Sequence, residues 1–160
     1  MHRKILKIAL GACLGALVVA QFFRPEKANP PSEPASSFEA AVRPPHQVAA
    51  IVKRACRDCH SNETVWPWYS NVSPASWLVA QDVQEGRTHL NLSEWTRFGR
   101  EKASSRIREM CEQVREGQMP PWYYRPLHPR AGLNQAEMDA LCNVRLSIDG
   151  VPRARNEVEE

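Results

Sequence analysis

Cys56-Arg57-Asp58-Cys59-His60 decides how the rest of the chain is read. Two thiols three residues apart, with a histidine directly after the second, form the attachment signature of a c-type haem. The spacing has a stereochemical reason. On a helix, positions i, i+3 and i+4 share one face, so both sulfurs can reach the vinyl groups of one porphyrin while the adjacent imidazole reaches its iron. Two other chemistries use similar residues. A zinc half-site would draw on the same three side chains, but a structural zinc site normally adds a second compact pair, and His89, Cys111, His128 and Cys142 are scattered. A thioredoxin-like dithiol should follow a strand and open a helix. Here Val48, Ile51, Val52, Ala55 and Cys59 form a helical apolar stripe that runs into the motif.

Working outward, four helices are expected in the domain. The first covers about 46–59. The second starts at Ser73-Pro74, a cap followed by proline, and ends near Gly86, with Val79, Ala80 and Val83 on one face. A third covers about 100–116, carrying Ala103, Ile107, Met110, Cys111 and Val114, and is stopped by Gly117. The fourth opens at Asn134 with Glu137 in capping-box position, and has Leu141, Val144 and Ile148 as its inner stripe before Gly150 and Pro152. No segment shows strand alternation. The expected fold class is all-α, a cytochrome c-like helical domain around one covalently attached haem c, preceded by an N-terminal transmembrane or signal helix. A haem would supply apolar surface to a domain otherwise small for its own core.

Past the third helix, Met119 stands in Gly117-Gln118-Met119-Pro120-Pro121. A residue before proline is pushed to extended geometry, which suits a thioether held over iron opposite His60. Met110, Met138, His89 and His128 are the alternatives. The two methionines fit helix faces and a packing role, whereas either histidine would give bis-histidine ligation. Cys111 and Cys142 remain after the haem thiols. In an oxidising compartment they can form a disulfide that staples the Met119 loop, the alternative being two separate buried thiols. Among the aromatic residues Trp66, Trp68, Tyr69, Trp77, Trp95 and Trp122, Trp68 and Tyr69 are expected beside the haem, with Arg106, Arg108 or Arg125 pairing with its propionates.

The remaining segments set the context. Residues 1–24 combine a basic start (His2, Arg3, Lys4) with an apolar run from Ile5 to Phe23, broken only by Lys7 and Gln21. A membrane anchor is the leading expectation, with the basic end in the cytoplasm. A signal peptide cut after Ala20 and a weak lipoprotein box at Cys13 compete with it. The net charge of the 160 residues is +3. Because residues 1–24 contain four basic side chains and no acidic one, the remainder is near −1, and nothing argues for nucleic acid. Residues 25–45, with Pro30-Pro31, Pro34 and Pro44-Pro45, read as an extended, mobile linker that buries no core. Residues 46–150 form the haem-binding domain, and 151–160 a disordered tail. No nucleophile–base pair, phosphate loop or paired carboxylates suggest catalysis.

Taken together, Cys56–Thr64, Trp66-Pro67-Trp68-Tyr69-Ser70-Asn71, Ser73-Pro74-Ala75-Ser76-Trp77, His89-Leu90-Asn91-Leu92-Ser93-Glu94-Trp95 and Cys111…Gly117-Gln118-Met119-Pro120 resemble the bacterial haem-binding domain family of envelope cytochrome c-like proteins. The resemblance covers about 45–150. It implies a monohaem c-type domain, often tethered to the inner membrane and facing the periplasm, with redox proteins as partners, a di-haem cytochrome c peroxidase-like protein among them. Many members have Met-Pro-Leu where this chain has Met119-Pro120-Pro121. The expected function is periplasmic electron transfer. A haem sensor or peroxidatic site with a labile distal ligand is the alternative, and a zinc-stabilised non-redox adaptor the second.

Overall fold

The computed structural model describes residues 2–144. Its helices are α1 (His2–Ala20), α2 (Phe38–Val42), α3 (His46–Ala55), α4 (Arg57–His60), α5 (Ala75–His89), α6 (Arg100–Arg115) and α7 (Gln135–Cys142), joined by short 3-10 turns. No strand occurs among the described residues. The architecture is all-α.

The apolar stripes make the core. Val48, Ile51 and Val52 of α3 are buried, as are Ala103, Ile107, Met110 and Val114 of α6 and Leu141 of α7. Between α5 and α6, Leu92 and Trp95 fill the centre, and the Trp95 indole meets the Phe38 ring edge-on at 4.9 Å. Asn134 and Glu137 form the expected capping box, each side chain accepting from the other's backbone N–H at 2.9 and 3.1 Å.

Several expectations need correction. The helix into the haem motif is not continuous. α3 ends at Ala55, Cys56 takes φ −121°, and α4 is a separate turn. The i, i+4 relation survives, because His60 N–H donates to Cys56 O at 2.9 Å. The α5 cap is Pro74, which has no side-chain bond, while the Ser73 hydroxyl lies 3.0 Å from that of Ser76. α5 also runs past Gly86 to His89. α7 stops at Cys142, with Asn143 as its cap. Leu141 and Val144 are buried as expected, whereas Ile148, Gly150, Pro152 and the proposed tail lie outside the described residues.

The Pro-rich segment is not a free linker. Phe38 and Val42 are 0% and 1% exposed, inside the core. Upstream of them, the Arg87 guanidinium donates to Ala28 O and Asn29 Oδ1, both at 2.8 Å, and also to Ser61 O at 2.8 Å and Thr64 Oγ1 at 2.9 Å. One side chain of α5 thus binds this segment and the loop after the haem motif together. Proline-rich composition lowers the entropy cost of holding an extended strap, and the two apolar side chains at its end supply the burial.

The expected spanning helix is not met either. α1 has 19 residues, with Arg3, Lys4 and Lys7 in its first two turns, and buries none of them. Among the described residues no helix is long and apolar enough to cross a membrane.

Candidate haem site

Cys56, Cys59 and His60 line one cavity of about 530 Å³, together with Met110, Val114 and Met119. That size falls within the usual range for a cofactor or small-ligand site. Two helices shape its floor. α5 packs on α4 so closely that a Cβ on Gly86 would stand 2.6 Å from the Cys59 carbonyl oxygen. Glycine is what permits this approach. The contact brings the carbonyls of Gly86 and Leu90 to His60 Nδ1, at 2.9 and 3.1 Å. Nδ1 therefore carries the proton and donates to backbone, which leaves Nε2 as the metal-binding nitrogen and fixes the ring. Burial pushes the His60 pKa down, against those two hydrogen bonds, so the imidazole is neutral at neutral pH.

Met119 reaches the same cavity by helix termination. Gly117 takes φ +71°, and its N–H donates to Val114 O at 3.2 Å while Gln118 N–H donates to Gln113 O at 3.0 Å. This Schellman stop turns the chain out of α6. Met119 N–H also donates to Gln113 O, at 3.1 Å, and its side chain is 37% exposed at the cavity. A disulfide joins Cys111 to Cys142, tying α6 to α7 on either side of that loop.

Burial pushes both motif thiols up, to about 12. Reactive dithiols sit instead in settings that lower the thiol pKa, so the thioredoxin-like reading gains no support. Among the described residues no three His, Cys, Asp or Glu side chains are grouped to hold a metal ion. Two thiols, an oriented imidazole and a thioether around a largely apolar cavity suit a haem.

The other expected site residues divide. Met110 and His89 line the cavity, whereas Met138 and His128 do not. Trp68, 74% exposed, is not at the site, and Tyr69 does not line it either. Tyr69 acts at one remove. Its hydroxyl pairs with His128 Nε2 at 2.8 Å, and the His128 ring stacks on Tyr124 at 3.9 Å. The aromatic residues that do line the cavity are Tyr123 and Tyr124. Tyr124 donates to Asp58 at 2.9 Å and Tyr123 to Asp82 at 3.1 Å. They follow Met119-Pro120-Pro121 after one intervening residue, Trp122, which is exposed and does not line the cavity. Desolvation and the neighbouring carboxylates push Tyr123 up to about 12 and Tyr124 further in the same direction. Of the candidate propionate partners, Arg106 lines the cavity, and Arg108 and Arg125 do not.

Neither the curated proteins nor the solved structures contain a match to this chain. A family model for the haem-binding domain matches residues 15–145, which include the strap, the cavity and α7. The chain binds haem as a member of that family: it belongs to the haem-binding domain family.

Proposed function

We propose that this is a monohaem c-type cytochrome that carries electrons in the bacterial periplasm. The observation that supports it best is the meeting of Cys56, Cys59, His60 and Met119 at one cavity. Cys56 and Cys59 would hold the haem through thioether bonds, and His60 Nε2 and the Met119 sulfur would ligate its iron. A bound haem supplies a one-electron couple. The protein's part is to orient His60 through Gly86 and Leu90 and to hold Met119 by the α6 stop and the disulfide. With both ligands bound, the iron would have no open coordination position, which fits electron transfer better than catalysis.

Export is part of the proposal. α1 is an apolar segment with a basic start, as export signals are, and the Cys111–Cys142 bond suits an oxidising compartment. The partners are then redox proteins of the envelope, a di-haem cytochrome c peroxidase-like protein among the candidates.

The test is expression beside a c-type maturation system. The full chain is expected to gain the mass of one haem that stays attached after denaturation. Haem that washes out of the denatured protein, or none at all, overturns covalent attachment. Met119→Ala is expected to abolish the weak long-wavelength sulfur-to-iron band of the oxidised form. If wild-type protein lacks that band and binds carbon monoxide rapidly when reduced, the sensor or peroxidatic reading replaces the carrier.

A further inference from the structure

The end of α1 is locked to the body of the fold. The Gln21 side chain pairs both ways with the Ser73 backbone, its Nε2 donating to Ser73 O and its Oε1 accepting from Ser73 N–H, both at 3.0 Å. Arg24 donates to Asn71 O at 3.0 Å, Lys27 donates to the Asn71 side chain, and the Trp77 indole N–H donates to Phe23 O. Ser73 is buried, and Trp77 lies in the first turn of α5. The chain between α1 and the haem domain is therefore held by the domain and is not a swinging tether.

The surface around this joint is apolar. α1 buries none of its residues, and Phe22 and Phe23 beyond it are 82% and 69% exposed. Across the joint, Val72, Trp77 and Leu78 of the domain are each nearly half exposed. An exposed apolar surface of this extent marks a contact with lipid or protein. Its chemistry favours lipid. Residues 1–24 carry four basic side chains and no acidic one, which suits anionic headgroups. Aromatic rings gather where the apolar helix ends, and Trp77 shows an apolar ring while its N–H is satisfied, as side chains do at a membrane–water boundary. We infer that the joint between α1 and Ser73 seats the haem domain on a phospholipid bilayer that holds α1, through the face formed by Phe22, Phe23, Val72, Trp77 and Leu78. An anchor alone would leave the domain free on a linker, whereas the seat gives it one orientation. The seat does not require α1 to cross the membrane, only that its C-terminal end lie at headgroup depth. Asp82, about one helical turn past Leu78, lines the candidate haem cavity, so the seat holds that cavity close to the bilayer and, on the haem reading, close to an electron donor held in the membrane.

The test reads position and not redox activity. The full chain is placed in vesicles of phosphatidylcholine and phosphatidylglycerol whose acyl chains carry a photoreactive diazirine, and the labelled residues are mapped by mass spectrometry. Label is expected on α1, on Phe22 and Phe23, and on residues 72–78. Trp122 and Leu127, 73% and 60% exposed, should stay unlabelled. A Gly/Ser spacer inserted between Ala20 and Gln21 keeps the bonds of Gln21, Phe23 and Arg24 to the domain but frees the domain from α1. It should lower the label on residues 72–78 several-fold while α1 stays labelled, and an unchanged pattern would overturn the role of the joint. Label on α1 alone overturns the seat: a chain that is dimeric in detergent then gives the face to a second copy, and a monomer leaves the domain free. Label spread equally onto Trp122 and Leu127, or a mature chain cut after Ala20, overturns it as well. Haem content is measured on the same sample, so haem-free protein labelled in the expected pattern sinks the haem reading and leaves the seat standing.

Discussion

Gly86 shows how one position can hold a site together. A methyl group there would meet the Cys59 carbonyl oxygen at 2.6 Å, and the obstacle is backbone, which cannot rotate away. In an exposed helix, glycine to alanine would gain about 1 kcal/mol. Against a rigid neighbour, overpacking costs about 1–3 kcal/mol, so the clash prevails. Gly86→Ala is therefore expected to lower the stability of the haem-free protein and to weaken haem loading, since α5 must retreat from α4 and take the Gly86 and Leu90 carbonyls away from His60. Urea denaturation and haem content measure the two effects. An unchanged midpoint would mean that α4 and α5 are less tightly apposed than the His60 hydrogen bonds imply.

The helix ends are where local chemistry meets tertiary need. Glu137 of α7 accepts from the Asn134 backbone and also takes the Arg54 guanidinium of α3, which in addition donates to Gly132 O at 3.0 Å. The Asn134 bond first, and then Arg54, pull the Glu137 pKa below its ordinary value of 4.5. The unfolded chain thus takes up this proton at a higher pH than the folded one. The contribution is complete above the ordinary glutamate range and fades as pH falls through the depressed value. Asn134→Ala should cost about 1 kcal/mol. Glu137→Gln should be less stable than wild type at neutral pH, with the gap closing in acid. Urea midpoints on both sides of that range check it. The Cys111–Cys142 bond acts on the same pair of helices. It spans 31 residues, and a loop of that size is expected to contribute about 3–4 kcal/mol. The double substitution to serine should lower the thermal midpoint and weaken the Met119 band. Equal midpoints with and without reductant would remove the bond from the stability of the domain.

Across the molecule, the strap of residues 25–42 is part of the folded unit. Phe38 meets Trp95 in the centre of the core, and Arg87 ties residues 28–29 to the loop that follows the haem motif. Phe38→Ala should cost about 3–5 kcal/mol, as for a buried aromatic residue elsewhere, whereas truncating a side chain in a mobile linker would cost nothing measurable. Chemical denaturation decides between these outcomes. A domain cut at residue 46 is expected to be unstable for the same reason.

What could be read from residue order was the chemistry of near neighbours. The haem pentad, the stripes of α3 and α6, the stop at Gly117 and the Asn134–Glu137 box all depend on groups a few positions apart, where helical geometry dictates who meets whom. Packing across the chain settled the rest. Proline content along residues 25–45 suggested a spacer, yet two apolar residues were enough to bury its end once the turn carrying Leu92 and Trp95 offered a surface. Trp68 and Tyr69 stood near the motif in sequence, but Tyr123, Tyr124 and Arg106 reached the cavity, because loop exits and helix faces are set by long-range contacts. Burial is a property of the assembled core, and neither composition nor spacing records which distant side chains will share it.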